Sequence, residues 1–270
     1  MYPSAGRQRP NRYTATALLA RVYLYRKKWG LAKAMADTVI NSGLYSIISN
    51  LDNVFLDKSN EAIWQLGPNS TLSLLDAPGY GLFSESTYNS FIGPALWLSS
   101  SLAQAFEPGD LRAAHWTIVD TLSPFVGATQ YLPMYYKTKN YATVIRTGAE
   151  DLMVVRLAEM YLIRGEALAQ QGDLTGAMSD INVIRSRAGL GSVTAIDLND
   201  ALGKILHERQ VELFCEWGHR WLDLKRMDSV NAVMAREKPQ YWPADGHAAL
   251  YPIPYTELVS DQYLTQNAGY

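Results

Sequence analysis

The chain has 270 residues, of which 48% are hydrophobic and 19% are charged, and this composition supports a sizeable core. Lys and Arg number 24 against 26 Asp and Glu, and no basic run reaches five residues, so we expect no nucleic-acid partner. The single cysteine, Cys215, excludes an intrachain disulfide framework, and apolar runs of at most four residues predict no membrane-spanning helix.

Apolar residues at helical spacing predict a first helical hairpin over residues 11–43. Ala15, Leu18 and Val22 lie on one face of its first helix. We expect Trp29-Gly30 to end that helix and Gly43 to cap the second one.

From residue 45 to residue 151 the sequence is rich in turn signals. Gly67-Pro68, Gly93-Pro94 and Pro108-Gly109 recur at short spacing, and each dipeptide favours a turn or loop. We therefore expect a loop-rich insertion over 45–151 with one or two short helices.

A second helical hairpin is predicted over 152–188, and its sequence resembles that of the first. Gln171-Gly172-Asp173 is expected to form its turn, with Gly172 as C-cap and Asp173 as N-cap. Small residues such as Gly165 and Ala177 let helices approach closely, as in tetratricopeptide hairpins. The predicted fold class is mainly α, with tetratricopeptide-like hairpins in an α–α superhelix and a loop-rich insertion.

A third helical block is predicted over 200–227, with Gly218 as an interruption. Cys215 then falls within a helix, where we interpret it as a small buried residue and not as a nucleophile. Residues 228–270 are predicted to form an extended tail, because the prolines of Tyr251-Pro252-Ile253-Pro254 disfavour helix in the residues before them.

Acidic and basic side chains are concentrated in this third block, mostly at spacings of three or four. They are Glu208, Arg209, Glu212, Glu216, Arg220 and Asp223. Two of the glutamates could act as the acid and base of a glycoside hydrolase, or the arginines could pair with the carboxylates in a structural ion network. Because arginines stand among the acids, we favour the ion network and expect no catalytic residue.

No motif in the chain indicates a metal or a cofactor. The histidines lack metal-ligand spacing, and no phosphate-binding or dinucleotide-binding motif occurs, so we expect neither group. The aromatic composition is more informative, since 17 Tyr and 7 Trp stand against 6 Phe. Tyr and Trp suit a surface that stacks on a ligand, but they also suit packing in a helical protein.

Eight segments of the chain match, in order, the motifs of one known family. Residues 155–167 are close to "viRlAEvyLirAEA", and residues 208–226 are similar to "ERr.El.fEG.RwfDLkR". The others are 17–25 (a hairpin helix), 60–64 ("NEeIIf"), 105–112 ("aFe.gDpR"), 136–139 ("KY"), 180–190 ("iN.vR.RAgl") and 252–270 ("PIP…QNpGY"). Together they resemble the SusD/RagB family, the surface glycan-binding lipoproteins of Bacteroidetes outer membranes.

The resemblance implies one SusD-like domain over 1–270 that binds carbohydrate without cleaving it. It also implies a SusC-like TonB-dependent transporter as partner and a position at the surface of the outer membrane. Residues 1–7 have neither the apolar segment of a signal peptide nor a cysteine for lipidation. We therefore expect a form that lacks the N-terminal part of the family.

The glycan site is expected among the aromatic side chains of the insertion, because Trp and Tyr rings stack on the CH-rich face of a sugar. The candidates are Tyr80, Tyr88, Trp97, Trp116 and Tyr135. Two other functions stay open. A protein-interaction scaffold would bury these rings and bind no glycan, and a hydrolase would place Glu208 and Glu212 in an open cleft.

Overall fold

The computed structural model describes residues 7–67, 98–120, 130–133 and 151–270. Its contacts divide the chain into two compact units, an N-terminal unit (Met1–Trp217) and a C-terminal unit (Gly218–Tyr270). Helices predominate, which confirms the mainly α fold class. The single domain over 1–270 stays a prediction, because compactness does not show whether either unit folds alone.

The first helical hairpin consists of α1 (Arg12–Tyr25) and α2 (Trp29–Ile40). Asn11 caps α1: its side chain accepts hydrogen bonds from the backbone N–H groups of Tyr13 and Thr14, as in a capping box. Trp29-Gly30 begin α2 and do not end α1 as predicted. The reason is that the chain already turns at Lys27, whose φ is 54°.

The described part of the insertion contains short helices and strands joined by turns and loops. The helices and strands are a 3₁₀ helix (Leu51–Asn53), β1 (Ala62–Leu66), α3 (Ser100–Ala103), α4 (Leu111–Trp116), β2 (Thr117–Asp120) and β3 (Gln130–Pro133). β2 pairs antiparallel with β3. β4 (Leu152–Arg156) pairs antiparallel with β1, with Leu66 opposite Leu152, and this pairing joins the two ends of the insertion. The second hairpin therefore begins after β4 and not at residue 152 as predicted.

The second helical hairpin consists of α5 (Leu157–Gln170) and α6 (Leu174–Arg187). Its predicted turn is confirmed: Gly172 has a φ of 88°, and the Asp173 carboxylate accepts a hydrogen bond from Gly176 N at 2.8 Å. The two helices approach closely at Gly165, where a Cβ atom would lie 3.2 Å from the carbonyl oxygen of Ala177. The tetratricopeptide-like hairpins are thus confirmed.

Two apolar clusters hold the hairpins together. One lies between α1, α2 and α5, where Val39 and Ile163 are fully buried. The other lies between α5, α6 and α7 (Leu198–Glu212), around Leu162 and Ile181. Each fully buried aliphatic side chain contributes about 1.5–3 kcal/mol, so the hairpins form a firm scaffold for the polar groups that they carry.

The helical block predicted over 200–227 is interrupted at Gly218 as expected, but the break is longer than predicted. α7 ends at Glu212, and α8 (His219–Arg226) begins only after a tight turn. Within that turn Cys215, Trp217 and Gly218 have φ values of 58°, 45° and 71°, which a helix does not allow. Cys215 therefore lies in a turn and not within a helix.

The C-terminal unit also differs from the extended tail predicted over 228–270. After α8 it contains α9 (Val230–Glu237), a 3₁₀ helix (His247–Ala249) and α10 (Tyr255–Ser260). Non-helical backbone precedes α10 at Tyr251-Pro252-Ile253-Pro254, as the prolines require.

Two amide side chains near the C-terminus hold this proline segment. Gln266 Oε1 accepts a hydrogen bond from Ile253 N at 2.8 Å, and Gln266 Nε2 donates to Ile253 O at 3.0 Å. Asn267 Nδ2 donates to Tyr251 O at 2.7 Å. We call Gln266 and Asn267 the C-terminal clasp. The two halves of the last family motif thus form one structural element.

Gln266→Ala is expected to destabilise the C-terminal unit by about 1–2 kcal/mol, because two hydrogen bonds to the backbone of Ile253 are lost. Hydrogen exchange at the Ile253 amide should become faster by a corresponding factor. Gln262→Ala, at an exposed glutamine of the same segment, is the matched control and should leave that exchange unchanged. Equal exchange in both variants would show that the clasp does not hold the segment.

Candidate functional site

Of the five aromatic residues predicted to bind glycan, the structure describes one. Tyr80, Tyr88, Trp97 and Tyr135 lie outside the described residues and stay predictions. Trp116 is described, at the last position of α4.

The prediction for Trp116 is wrong, because its side chain is 0% exposed. Its indole N–H donates to Leu51 O at 3.1 Å, and its ring packs edge-on against Phe55 with 5.3 Å between centroids. The guanidinium of Arg187 lies 5.3 Å from the centroid of the same ring. Trp116 is therefore a core residue that borders a buried cluster of charges.

We call this cluster the arginine–carboxylate network. Its members come from the segment before β1, from α4 and the turn before it, from β4, α6 and α7, and from the turn after α7. They are Glu61, Asp110, Arg112, Arg156, Arg187, Glu208, Glu212 and Glu216, each at most 8% exposed. The network ties together elements that are far apart in the sequence.

Arg112 pairs with three carboxylates of the network. Its Nε and Nη2 donate to Asp110 at 2.9 and 2.8 Å. Its Nη1 lies 2.6 Å from Glu208 and 2.9 Å from Glu212. Asp110 is also the N-cap of α4, accepting from Arg112 N at 2.9 Å, so the cap and the ion pairs fix the same side chain.

Arg156 also pairs with three carboxylates. Its Nε and Nη2 donate to Glu216 at 3.0 and 2.9 Å, and its Nη1 donates to Glu61 at 2.8 Å and to Glu212. Arg187 bridges two of the same acids, donating to Glu61 at 2.9 Å and to Glu212. Glu212 therefore lies at the centre of the network, bound by all three of these guanidinium groups.

Burial and charge shift the pKa values of these acids in opposite directions. Burial alone would raise the pKa of Glu212, but the three arginines around it lower that pKa to about 2. Burial raises the pKa of Glu216 to about 7, although Arg156 opposes the shift. Glu212 is thus ionised at every physiological pH, whereas Glu216 exchanges its proton near neutrality.

The partners of these glutamates differ from those expected. The sequence suggested pairing with neighbours on the same block, yet the observed arginines come from α4, β4 and α6. Arg220 Nη2 instead lies 3.7 Å from Glu237 Oε1, and Arg226 Nη2 lies 2.8 Å from Asp223 Oδ1. Both ion pairs lie within the C-terminal unit. Arg209 is buried on α7.

The hydrolase alternative is wrong for Glu208 and Glu212. Both side chains are at most 1% exposed, and Arg112 binds an oxygen of each. A general acid or base must come within hydrogen-bond reach of the substrate, whereas these two carboxylates are enclosed and held by arginines instead of facing an open cleft. These two residues therefore have a structural role.

The network also contains at least one charged residue from each of five motifs that carry the family resemblance. Each motif contributes one or more of its members, and these include Glu61, Arg112, Arg156, Arg187 and Glu212. Residues that stand far apart in the sequence thus meet in one buried site. These charged residues of the motifs therefore support the scaffold.

A groove of about 350 Å³ opens between α6 and α7 of the N-terminal unit. Its charged side chains are largely paired, Arg185 with Glu107 at 2.5 Å and Lys204 with Asp200 at 2.6 Å. No Trp, Tyr or Phe belongs to its described lining, so the groove lacks the broad stacking surface that suits a sugar.

Over the described ranges, no group of three or more His, Cys, Asp or Glu side chains is arranged to hold a metal ion. Within the same ranges no helix has the length and hydropathy needed to cross a membrane. Neither result assigns a function.

Among the residues that the structure describes, exposed aromatic side chains lie mainly in the C-terminal unit, where the sequence analysis placed no binding residue. Trp221 contacts Trp242 edge-on with 6.3 Å between ring centroids, and it contacts Tyr251 at 5.9 Å. Tyr251 is 70% exposed. We call Trp221, Trp242 and Tyr251 the aromatic trio. The sequence offered only the abundance of Trp and Tyr as a sign of it, because no periodic spacing links these positions.

Comparison with known proteins identifies relatives that match all or part of the chain. The model of the SusD family matches residues 123–270. The chain is 28% identical to SusD-like protein P2 from Formosa agariphila, over 97% of this chain and 60% of that protein. It is 31% identical to the starch-binding protein SusD from Bacteroides thetaiotaomicron, over 44% of this chain and 22% of that protein. The chain thus spans about 60% of the length of SusD-like protein P2.

Solved structures share the fold. A SusD superfamily protein from Bacteroides vulgatus matches with a TM-score of 0.77 and 18% identity, over 99% of this chain and 64% of that one. Surface glycan-binding protein A from Bacteroides uniformis matches with a TM-score of 0.69 and 20% identity, over 96% and 61%. At such identities the likeness concerns the fold alone.

Proposed function

The chain belongs to the SusD family, and on that basis we propose that it binds an oligosaccharide or polysaccharide at the cell surface without cleaving it. The observation that carries the proposal is the match of the family model to residues 123–270. One relative is named for starch binding and one fold neighbour for glycan binding, which supports carbohydrate as the ligand. The chain spans about 60% of SusD-like protein P2, so the activity of the whole protein is proposed and is not taken from that relative.

Within this proposal the glycan stacks on aromatic side chains of the insertion, namely Tyr80, Tyr88, Trp97 and Tyr135. Trp and Tyr combine a flat apolar ring with a polar group, so they suit a ligand with apolar ring faces and polar edges. Trp116 has no part in the site, because it is buried.

Binding without cleavage is supported by the structural role of Glu208 and Glu212, the two carboxylates that the hydrolase alternative required. The proposed location and transporter partner rest on the family alone. The protein is proposed to be a lipoprotein of a Bacteroidetes outer membrane that passes its glycan to a SusC-like TonB-dependent transporter. No cofactor takes part.

The proposal is tested by calorimetry of this chain against a panel of plant, host and microbial glycans, with reducing-sugar release followed in the same samples. We expect at least one glycan to bind and no sugar to be released. Trp97→Ala and Tyr80→Ala should weaken binding by about tenfold, the size of a lost aromatic stacking contact. Tyr263→Ala removes a ring that is 86% exposed in the C-terminal unit and is the matched control.

Two results would overturn this proposal. Release of reducing sugar would show that the protein is an enzyme. Absence of binding, both in this chain and in a form extended at its N-terminus, would favour a protein-interaction scaffold.

A further inference from the structure

We propose that a second carbohydrate subsite lies in the C-terminal unit, in a pocket that takes one neutral sugar ring. The pocket has a volume of about 180 Å³, and its lining includes Asn231, Pro239, Trp242, Asp245 and Gly246. We call it the Trp242 pocket. Pockets for drug-sized ligands enclose roughly 300–1,000 Å³, so this one suits a single ring. The ligand class rests on the proposed function, whereas the location rests on the geometry of this unit.

Trp242 supplies an aromatic wall and connects the pocket to the aromatic trio. Its ring lines the pocket and also contacts Trp221, which in turn contacts Tyr251. A sugar bound in the pocket would therefore have further aromatic surface next to it, on which a longer chain could continue. Such a row of partly exposed rings suits an oligosaccharide with alternating apolar faces and polar edges.

Asn231 supplies hydrogen-bond donors. An indole N–H can only donate, so the Asn231 atom that faces Trp242 Nε1 at 3.2 Å must be Oδ1. The amide nitrogen then keeps two N–H groups, which donate to no acceptor in the part of the chain that the structure describes. Gly246, with a φ of 71°, permits this placement, because a Cβ atom there would lie 2.5 Å from Asn231 Nδ2.

Asp245 supplies a hydrogen-bond acceptor in the lining of the Trp242 pocket. Its Oδ1 accepts hydrogen bonds from His247 N at 3.2 Å and from His247 Nδ1 at 2.6 Å, which leaves Oδ2 for a ligand. These backbone and side-chain hydrogen bonds from His247 lower the pKa of Asp245, so the carboxylate is ionised and acts as an acceptor only. The His247 ring is braced by Tyr270, with 4.8 Å between ring centroids.

This combination selects a neutral polyhydroxylated ring over charged ligands. Sugar hydroxyls both donate and accept, so they can satisfy the Asn231 amide and the Asp245 carboxylate together, while the ring face covers Trp242. An acidic sugar would be repelled by Asp245. An organic cation would satisfy Asp245 and Trp242 but would face the N–H groups of Asn231.

The test uses the intact chain and methyl glycosides of glucose, galactose, mannose and xylose as probes, followed by the NMR signal of the Trp242 indole N–H. At least one probe should shift that signal saturably, with a Kd on the order of 1 mM or weaker. Trp242→Ala and Asp245→Ala should each weaken binding of that probe by about tenfold, measured by saturation transfer to the glycoside. Asp245 is exposed, so its substitution keeps the fold, and Tyr263→Ala should change nothing.

Three outcomes would overturn the subsite. The first is glycan binding that Trp97→Ala abolishes and both pocket variants leave intact, which would refute the subsite while sustaining the proposed function. The second is the absence of a saturable shift with every glycoside. The third is a saturable shift with tetramethylammonium but with no glycoside, which would identify a cation site.

Discussion

Replacing Arg156 with methionine is expected to lower the free energy of unfolding by about 3–5 kcal/mol, the usual effect of removing one partner from a buried ion pair. Arg156 is fully buried and binds Glu61, Glu212 and Glu216. Methionine keeps much of the side-chain volume but removes the positive charge, so these carboxylates lose a partner that water cannot replace. Urea unfolding followed by circular dichroism measures the change.

Arg236→Met is the matched control, because the same substitution falls on a side chain that is 74% exposed. It should change stability by no more than about 0.5 kcal/mol. Adding Glu216→Gln to Arg156→Met should recover part of the loss, since it removes one of the stranded charges. A loss of less than about 1 kcal/mol for Arg156→Met alone would contradict the structural role of the network.

The helical hairpins were predictable because their determinants are local. Apolar spacing marks each buried helix face, and the Gly172-Asp173 pair marks a turn within three residues of both helices that it joins. The network was not predictable in the same way. Arg112 and Glu212 are 100 residues apart, and no periodicity in one segment tells which distant arginine will reach it.

The aromatic candidates illustrate the same limit. Trp116 is four residues after Arg112, which places both on one face of α4, and both are buried. Within the insertion, however, the sequence does not tell a ring that faces the core from one that faces solvent. The aromatic trio forms because α8, the loop before residue 247 and the proline segment meet, and that meeting depends on tertiary structure.

Raising the pH from 5 to 8 is expected to cost about 2–3 kcal/mol of unfolding free energy through Glu216. Burial raises the pKa of Glu216 to about 7 in the folded protein, against an ordinary value of 4.5 in the unfolded chain. Between these values the folded protein holds a proton that the unfolded chain has released, so a rising pH favours unfolding. The pH dependence of stability through Glu212 has the opposite sign. The pKa of Glu212 is lowered to about 2, so the stability that it contributes is lost as the pH falls below 4.5.

Glu216→Gln isolates this effect, because glutamine resembles the protonated acid and does not titrate. The variant should match the parent near pH 5 and exceed its stability at pH 8 by about 2–3 kcal/mol, as measured by urea unfolding at both values. Glu257→Gln, at an exposed site, should follow the parent throughout. Parallel pH profiles for parent and Glu216→Gln would refute the assignment.

The two partners of the Arg156–Glu216 pair are not equivalent, because Arg156 binds three buried carboxylates, whereas at Glu216 burial outweighs the attraction of Arg156 and raises the pKa of that acid to about 7. In an isolated buried pair, loss of either partner leaves an uncompensated charge and destabilises the protein. Here the loss of Arg156 takes a partner from three carboxylates, whereas the loss of Glu216 removes a buried charge whose ionised form is unfavourable at pH 8. At pH 8 the two substitutions should therefore change the free energy of unfolding in opposite directions, which no isolated ion pair would do.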